Sequence, residues 1–440
     1  MFNVKTLHCH KNKVFTTDKA KKFLIKAIEP VFGLRLTDFY DADAIKDLKR
    51  FESVCISFNI LPNGFAQDQS ITPSKWTKTR SILYSSLMIV NIFHLILLSV
   101  FDLPQDLSLI LGDFFYHHPR RRYFWLFWTN LTIFGEVLRH YWIYLYKTGA
   151  PFSFHMHNFV YDKGFKPEGL FLSHFYCLKY RFISSNLANL WIRTIIISGI
   201  SMGPVLIIIV QSASQVPKTS QQFIFTYFWL LTTYLGLVIA LTNIMLTGAV
   251  ITIDLAYNYF RAATEAQAVR NFANKGGVLN KRIYLSEYKE ISGQIIHFQN
   301  EIEHINLKIR NWLIFLYLGV SYSTNFGFYL AAIVHFDHGP LDIFIGSISI
   351  LGLFAIGTCS YVNGVILTMM HSCGKNIMKA NRYLPLGIKS SIKFTDLQSR
   401  LSRTDIAFTI GTILDMTKRV FVIYLIENAS LIMMFKVNVK

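Results

Sequence analysis

Residues 223–254 read "FIFTYFWLLTTYLGLVIALTNIMLTGAVITID", with no Lys, Arg or Glu and a single Asp at the very end. As one helix the run is about 48 Å long, against a hydrocarbon core of about 30 Å, so it must tilt strongly or project beyond a bilayer. As two spans it would need a turn, and no turn signal interrupts it. We read one helix. The choice decides the fold, because a split would invert every segment downstream.

The rest of the chain agrees with a membrane protein. Of its 440 residues 52% are hydrophobic and only 16% charged, too apolar for an ordinary soluble protein of this size. Six further segments read as spans: Ser81–Phe101, Tyr123–Tyr146, Thr194–Val210, Trp312–Phe336, Leu341–Met370 and the closing run 420–440. Helices are expected, because lipid offers backbone groups no partners. Gly203 and Pro204 suggest a kink in the third span, and "DHGP" at 337–340 is a tight turn between the fifth and sixth. Glu136 and Arg139, three apart on the second, can pair on one helix face.

Orientation follows from the basic residues. The formal charge is +18, and Lys and Arg collect in residues 1–80 and in the linkers after the second, fourth and sixth spans. The linkers after the third and fifth hold one Lys between them, Lys218. By the positive-inside rule the N-terminus is cytoplasmic and the C-terminus, seven crossings later, is outside. The run Arg120, Arg121 and Arg122 objects, since this topology places it outside. The charge therefore belongs to membrane topology, and a nucleic-acid partner is set aside. The N-terminus has no apolar core of signal-peptide length. Five cysteines without CxxC spacing read as free thiols.

The strongest periodicity lies between the fourth and fifth spans. In "YLSEYKEISGQIIHFQNEIEHINLKIRNW" the apolar positions are Tyr284, Tyr288, Ile291, Ile295, Phe298, Ile302, Ile305, Ile309 and Trp312, alternating spacings of four and three without a break. That is a heptad seam on a helix running straight into the fifth span. It packs either against its own chain or in an intracellular bundle that joins subunits. A second amphipathic piece, residues 394–413, could complete such a bundle.

The closing run "VFVIYLIENASLIMMFKVNVK" carries an acid and an amide in its middle. On a helix Glu427, Ser430, Leu431 and Met434 share one stripe. A carboxylate within a membrane is costly and faces a partner or water. Repeated around a symmetry axis, Glu427 would ring a cation pore with Leu431 or Met434 as an apolar gate. Otherwise it pairs with a buried Arg or Lys of a neighbouring span.

In architecture the whole chain resembles the insect gustatory and odorant receptor superfamily: seven spans, an inner N-terminus, long cytoplasmic helices and a short outer tail. The motif correspondence is thin. The family's last helix carries T-Y, five mostly apolar residues, then Q-F. Here the window is Glu427 and Asn428, "ASLIM", then Met434 and Phe435, so the filler and closing Phe agree. The resemblance implies a ligand-gated, non-selective cation channel in the plasma membrane of sensory neurons, a homo- or hetero-tetramer lined by its last helix. The expected pore residues are Glu427, Ser430, Leu431, Met434 and Phe435, and the expected opener is a small tastant or odorant. Met434 in place of Gln puts the family's selectivity and gating details in question.

The same resemblance implies a ligand pocket between the outer halves of spans two to six. The candidates there are Trp125, Trp128, Asn130, Tyr227, Trp229, Tyr322, Asn325 and Tyr329, aromatic walls with a few amides and hydroxyls that suit a small neutral ligand. The expected division is a cytoplasmic region 1–80, helices one to four over 81–258, the heptad helix 259–311, helices five and six over 312–370, an amphipathic segment 371–419 and the pore helix 420–440. The fold class is an all-α integral membrane protein. An enzyme would need a metal or nucleophile site, yet His155 with His157 is cytoplasmic while His117 with His118 and His335 with His338 lie outside, and no HExxH occurs. No cofactor or metal is expected. The alternative is a multi-pass secondary transporter of a small solute, which would favour a second interrupted helix to match Gly203–Pro204.

Overall fold

The computed structural model describes residues 33–35, 40–66, 75–113, 115–116, 118–149, 154–212, 220–275, 281–334, 336, 339–383, 387–403, 408–411 and 414–438. Among these the regular structure is helical, apart from one two-stranded hairpin. In chain order the elements are α1 (Asp41–Ser57), α2 (Lys75–Val100), α3 (Gln105–Ile110), α4 (Arg121–Lys147), α5 (Phe154–Lys163), α6 (Pro167–Leu170), α7 (His174–Ser212) and α8 (Ser220–Asn274). There follow α9 (Lys281–Tyr329), α10 (Gly339–Asn381), α11 (Ile388–Ser402), β1 (Thr409–Ile410), β2 (Leu414–Asp415) and α12 (Lys418–Asn438). Cys9, His117, His335 and His338 lie outside the described residues.

The opening run is one helix. It forms the first part of α8, which continues unbroken for 55 residues. Among the described residues four helices are long and apolar enough to cross a membrane: α2, α8, α9 with the turn that extends it, and α10. In α8 67% of the most apolar window is buried, against 28% in α2 and in α10, so α8 is the central helix. Small residues allow that position. A Cβ on Gly135 of α4 would lie 2.9 Å from the Ala240 carbonyl oxygen of α8, which brings the two backbones into direct contact.

The core falls into two parts. At the base, α1, α5 and the extensions of α8, α9 and α10 enclose one apolar cluster. All nine heptad positions are buried in it, from Tyr284 to Trp312. Phe272 of α8 stacks on Tyr284, and Tyr288 meets Phe394 of α11. The seam is therefore spent inside the chain, against its own neighbours, and any contact between subunits at the base uses other faces. Residues 394–413 are not one helix either. α11 ends at Ser402, and Gly411, with φ of +62°, turns the short hairpin that follows.

At the opposite end a second cluster gathers Phe115, Phe124, Trp125, Phe127, Trp128, Phe326, Tyr329 and Phe336 among leucines of α2 and α8. There α9 passes from α-helix into a five-residue π-turn, Leu330–Val334. The objecting arginines have partners at this end. Arg121 Nε lies 2.5 Å from Asp113 Oδ2, and Arg122 pairs with Asp102. Local ion pairs thus neutralise two of the three charges.

Candidate functional site

The last helix is held at its start. Two asparagines from different helices grip the hairpin before it. Asn306 of α9 accepts from the Thr409 backbone N–H at 2.9 Å and donates to Thr409 Oγ1 at 3.1 Å. Asn363 of α10 donates to the carbonyls of Phe408 and Met416 at 3.1 and 2.9 Å. Gly411 N–H adds a bond to the Arg310 carbonyl at 3.0 Å. Thr417 Oγ1 then caps α12 by accepting from Val420 N–H at 3.3 Å. Beside it Gly364 leaves no room for a side chain, since a Cβ there would sit 2.5 Å from Lys418 N.

Higher up, α12 leans on α9 along one stripe. Tyr424 packs on Tyr317 with ring centroids 5.0 Å apart. One turn further, Asn428 Oδ1 accepts from Ser321 Oγ at 3.0 Å and from Asn325 Nδ2, while its own Nδ2 donates to the Tyr424 carbonyl at 2.6 Å. The spacing matches on both helices, Tyr317, Ser321 and Asn325 against Tyr424 and Asn428, all four apart. A polar contact of this kind glues helices within a membrane.

The acid and the amide of the closing run therefore part company. Asn428 is buried and Glu427, about 100° round the helix, is exposed. Glu427 forms no ion pair with another described residue, and Arg139 is already taken by Glu136 at 2.6 Å, as the spacing predicts. Ser430, Leu431 and Met434 are exposed too, and Phe435 lies on α12 with its side chain outside the described residues. So are Val422, Ile423, Ile426 and Met433. Within one chain, most of the circumference of α12 is uncovered.

The ligand candidates scatter into five settings. Trp125, Trp128 and Tyr329 come together in the second cluster. Trp125 Nε1 donates to Asp113 Oδ1 at 2.9 Å, whereas Trp128 Nε1 is buried without a partner among the described residues. Burial pushes the Asp113 carboxyl, in the loop above, upward from its ordinary value, while Arg121 draws it back. Asn130 donates to Ser323 Oγ at 3.0 Å, and Trp229 stacks on His94 at 4.3 Å. Tyr227 and Tyr322 are exposed on the outside of the bundle. Asn325 belongs with Asn428. The HxH pair also splits: His155 faces Glu301 at the surface, and His157 is buried against Phe65.

Sequence reasoning passed over Asn306, Asn363 and the packing role of Asn428. For Asn363 and Asn428 the signal was present, since an amide inside an apolar helix needs a partner; Asn306 lies in a helix with a polar face, where one more amide does not stand out.

By sequence the chain matches no protein-family model and no curated protein. By structure it is similar to the insect olfactory receptor OR5 from Machilis hrabei. The similarity to that receptor in complex with eugenol has a TM-score of 0.60 at 10% identity and covers 90% of this chain and 98% of that one. Against a second structure of the same receptor the TM-score is 0.62 at 10% identity, covering 89% and 97%. The chain has the insect olfactory receptor fold over nearly its whole length.

Proposed function

We propose that the protein is a chemoreceptor of the insect gustatory and odorant receptor superfamily, a ligand-gated cation channel that assembles as a homo- or hetero-tetramer around α12. Its seven spans are α2, α4, α7, α8, α9, α10 and α12, with residues 1–80, 259–311 and 371–419 on the cytoplasmic side and the C-terminus outside. Its setting is the plasma membrane of a sensory cell. The observation that carries this reading is α12 itself: pinned at its start, packed along one stripe, and otherwise uncovered by its own chain. A helix with so much free surface, a mid-span carboxylate included, calls for neighbouring copies and water.

In the tetramer Glu427 forms the cation-attracting ring, and Leu431 and Met434 form the apolar constriction that closes by dewetting. The ligand sits in the aromatic cluster beside Trp128 and Tyr329. The orphaned indole N–H of Trp128 supports a small, mainly apolar molecule with one hydrogen-bond acceptor. Taste and odour ligands both meet that description.

The test is Glu427→Lys, with cation permeability measured on cells whose surface expression is normal. Permeability should collapse, because a ring of four carboxylates becomes a ring of four ammonium groups. Unchanged permeability sinks the pore assignment. Saturable uptake without current would favour a transporter instead.

A further inference from the structure

Asn428 divides α12 into a fixed half and a free half. Below it, Val420 and Tyr424 are buried and the hairpin is bonded to α9 and α10. Above it, Ala429, Ser430, Leu431, Met433, Met434 and Val437 are exposed, and Ile432 is half-buried. Among the described residues the Ser430 hydroxyl in that half bonds only back to its own helix, to the Ile426 carbonyl at 2.9 Å. Asn428 is thus the last bonded point among the described residues before the outer ten residues of α12.

Its partners reach toward the aromatic cluster. Ser321 and Asn325 are on α9, and the residues just beyond them, Phe326 and Tyr329, are cluster members. The π-turn Leu330–Val334 follows at once. Single π-turns mark functional positions in helices, because the extra residue they carry can be taken up or released. Passing that residue along α9 rotates the segment it crosses by about 100°. Such a rotation removes Ser321 and Asn325 from Asn428. The bonded arrangement is also incomplete, since Asn325 Oδ1 is buried without a partner.

We infer that Asn428, held by Ser321 and Asn325, is a latch: it keeps the outer half of α12 in its resting position until displacement of α9 at Phe326 and Tyr329 releases it. The latch rests on the channel reading given above. These three are positioning residues, acting on the pore stripe through the seat of the helix. One interhelical hydrogen bond in a membrane sets the size of the effect, a shift of roughly three- to twenty-fold in the released fraction.

The experiment uses the full chain in a heterologous cell and needs no ligand. Two readouts are taken, ligand-free cation current per surface-labelled receptor and the rate at which a charged, membrane-impermeant thiol reagent modifies a Leu431→Cys variant, whose thiol lies in the outer half. Asn428→Leu should raise both by roughly three- to twenty-fold. Ser321→Ala, which removes one donor without changing the packing, should raise both by less. Combining the two should add nothing beyond Asn428→Leu, because they break one unit. The latch is overturned if either substitution leaves both readouts at the wild-type level, or if their effects multiply. Should Asn428→Leu fail to reach the surface, Ser321→Ala and Asn325→Ala decide by the same criteria. A chain that passes no current in any variant refutes the channel reading, and the labelling rate then still decides the latch.

Discussion

The tightest point in the seat of α12 is Gly364, and adding one methyl group there tests the whole arrangement. In Gly364→Ala the new Cβ would lie 2.5 Å from Lys418 N, 2.8 Å from Lys418 Cγ and 3.0 Å from the Thr417 carbonyl carbon. Non-bonded heavy atoms of this kind rest at about 3.5–4.0 Å, so the start of α12 must retreat by about 1 Å. It cannot do so freely, because Asn363, one residue earlier on α10, holds the Met416 carbonyl at 2.9 Å. The clash and the tether oppose each other. Overpacking of this size costs about 1–3 kcal/mol. Gly293 on α9 supplies the control, for a Cβ there meets nothing within 4 Å. Gly293→Ala should stabilise by about 0.4–1 kcal/mol, as for any unstrained helix position. Thermal unfolding of the detergent-purified protein compares the two. If Gly364→Ala is tolerated as well as Gly293→Ala, the hairpin and the first turn of α12 are not seated as described.

Three more outcomes follow from the same packing. Phe298→Ala, at a fully buried heptad position, should cost about 3–5 kcal/mol in thermal or denaturant unfolding, while the exposed neighbour Gln294→Ala should stay within about 0.5 kcal/mol. Glu136→Leu leaves Arg139 buried without its carboxylate and should destabilise by about 3–5 kcal/mol; Glu136→Leu with Arg139→Met should recover most of the loss, and an equally damaged double variant would argue against the pair. Burial, reinforced by His155, lowers the His157 imidazole to about 3, so below the ordinary imidazole range the unfolded chain binds a proton that the folded one refuses. Stability is then complete above about pH 6.5 and falls as pH drops toward 3, by about 2 kcal/mol at pH 5, and His157→Phe should remove that part of the acid sensitivity.

What could be read in the sequence was whatever repeats along one helix. The heptad positions from Tyr284 to Trp312 partition to one side, so their burial follows from spacing alone. The continuity of α8 follows equally from the lack of any breaker between Phe223 and Asp254. Local pairs were legible too, as Glu136 and Arg139 are neighbours on any helix. Features that depend on a second, distant segment were not. Residues 394–413 have a helical pattern, yet Asn306 and Asn363 draw residues 408–416 into a hairpin instead. Arg121 and Arg122 count as unpaired charges until Asp102 and Asp113 are placed beside them.

Glu427 and Asn428 are the sharpest case, because periodicity treats adjacent polar residues in an apolar run alike. Only the partner helix distinguishes them. Ser321 and Asn325 each donate to α12, and an amide oxygen can accept both while its nitrogen stays bonded to the Tyr424 carbonyl. A carboxylate in the same place could accept as well, but it would bring a full charge into a dry contact between helices, where desolvation outweighs two neutral hydrogen bonds. The amide therefore faces inward and the acid is turned to the uncovered side. That division lets one short helix be both anchored and functional: the neutral polar group fixes the helix to its own chain, and the charged one is left for whatever occupies the space that the chain itself leaves open.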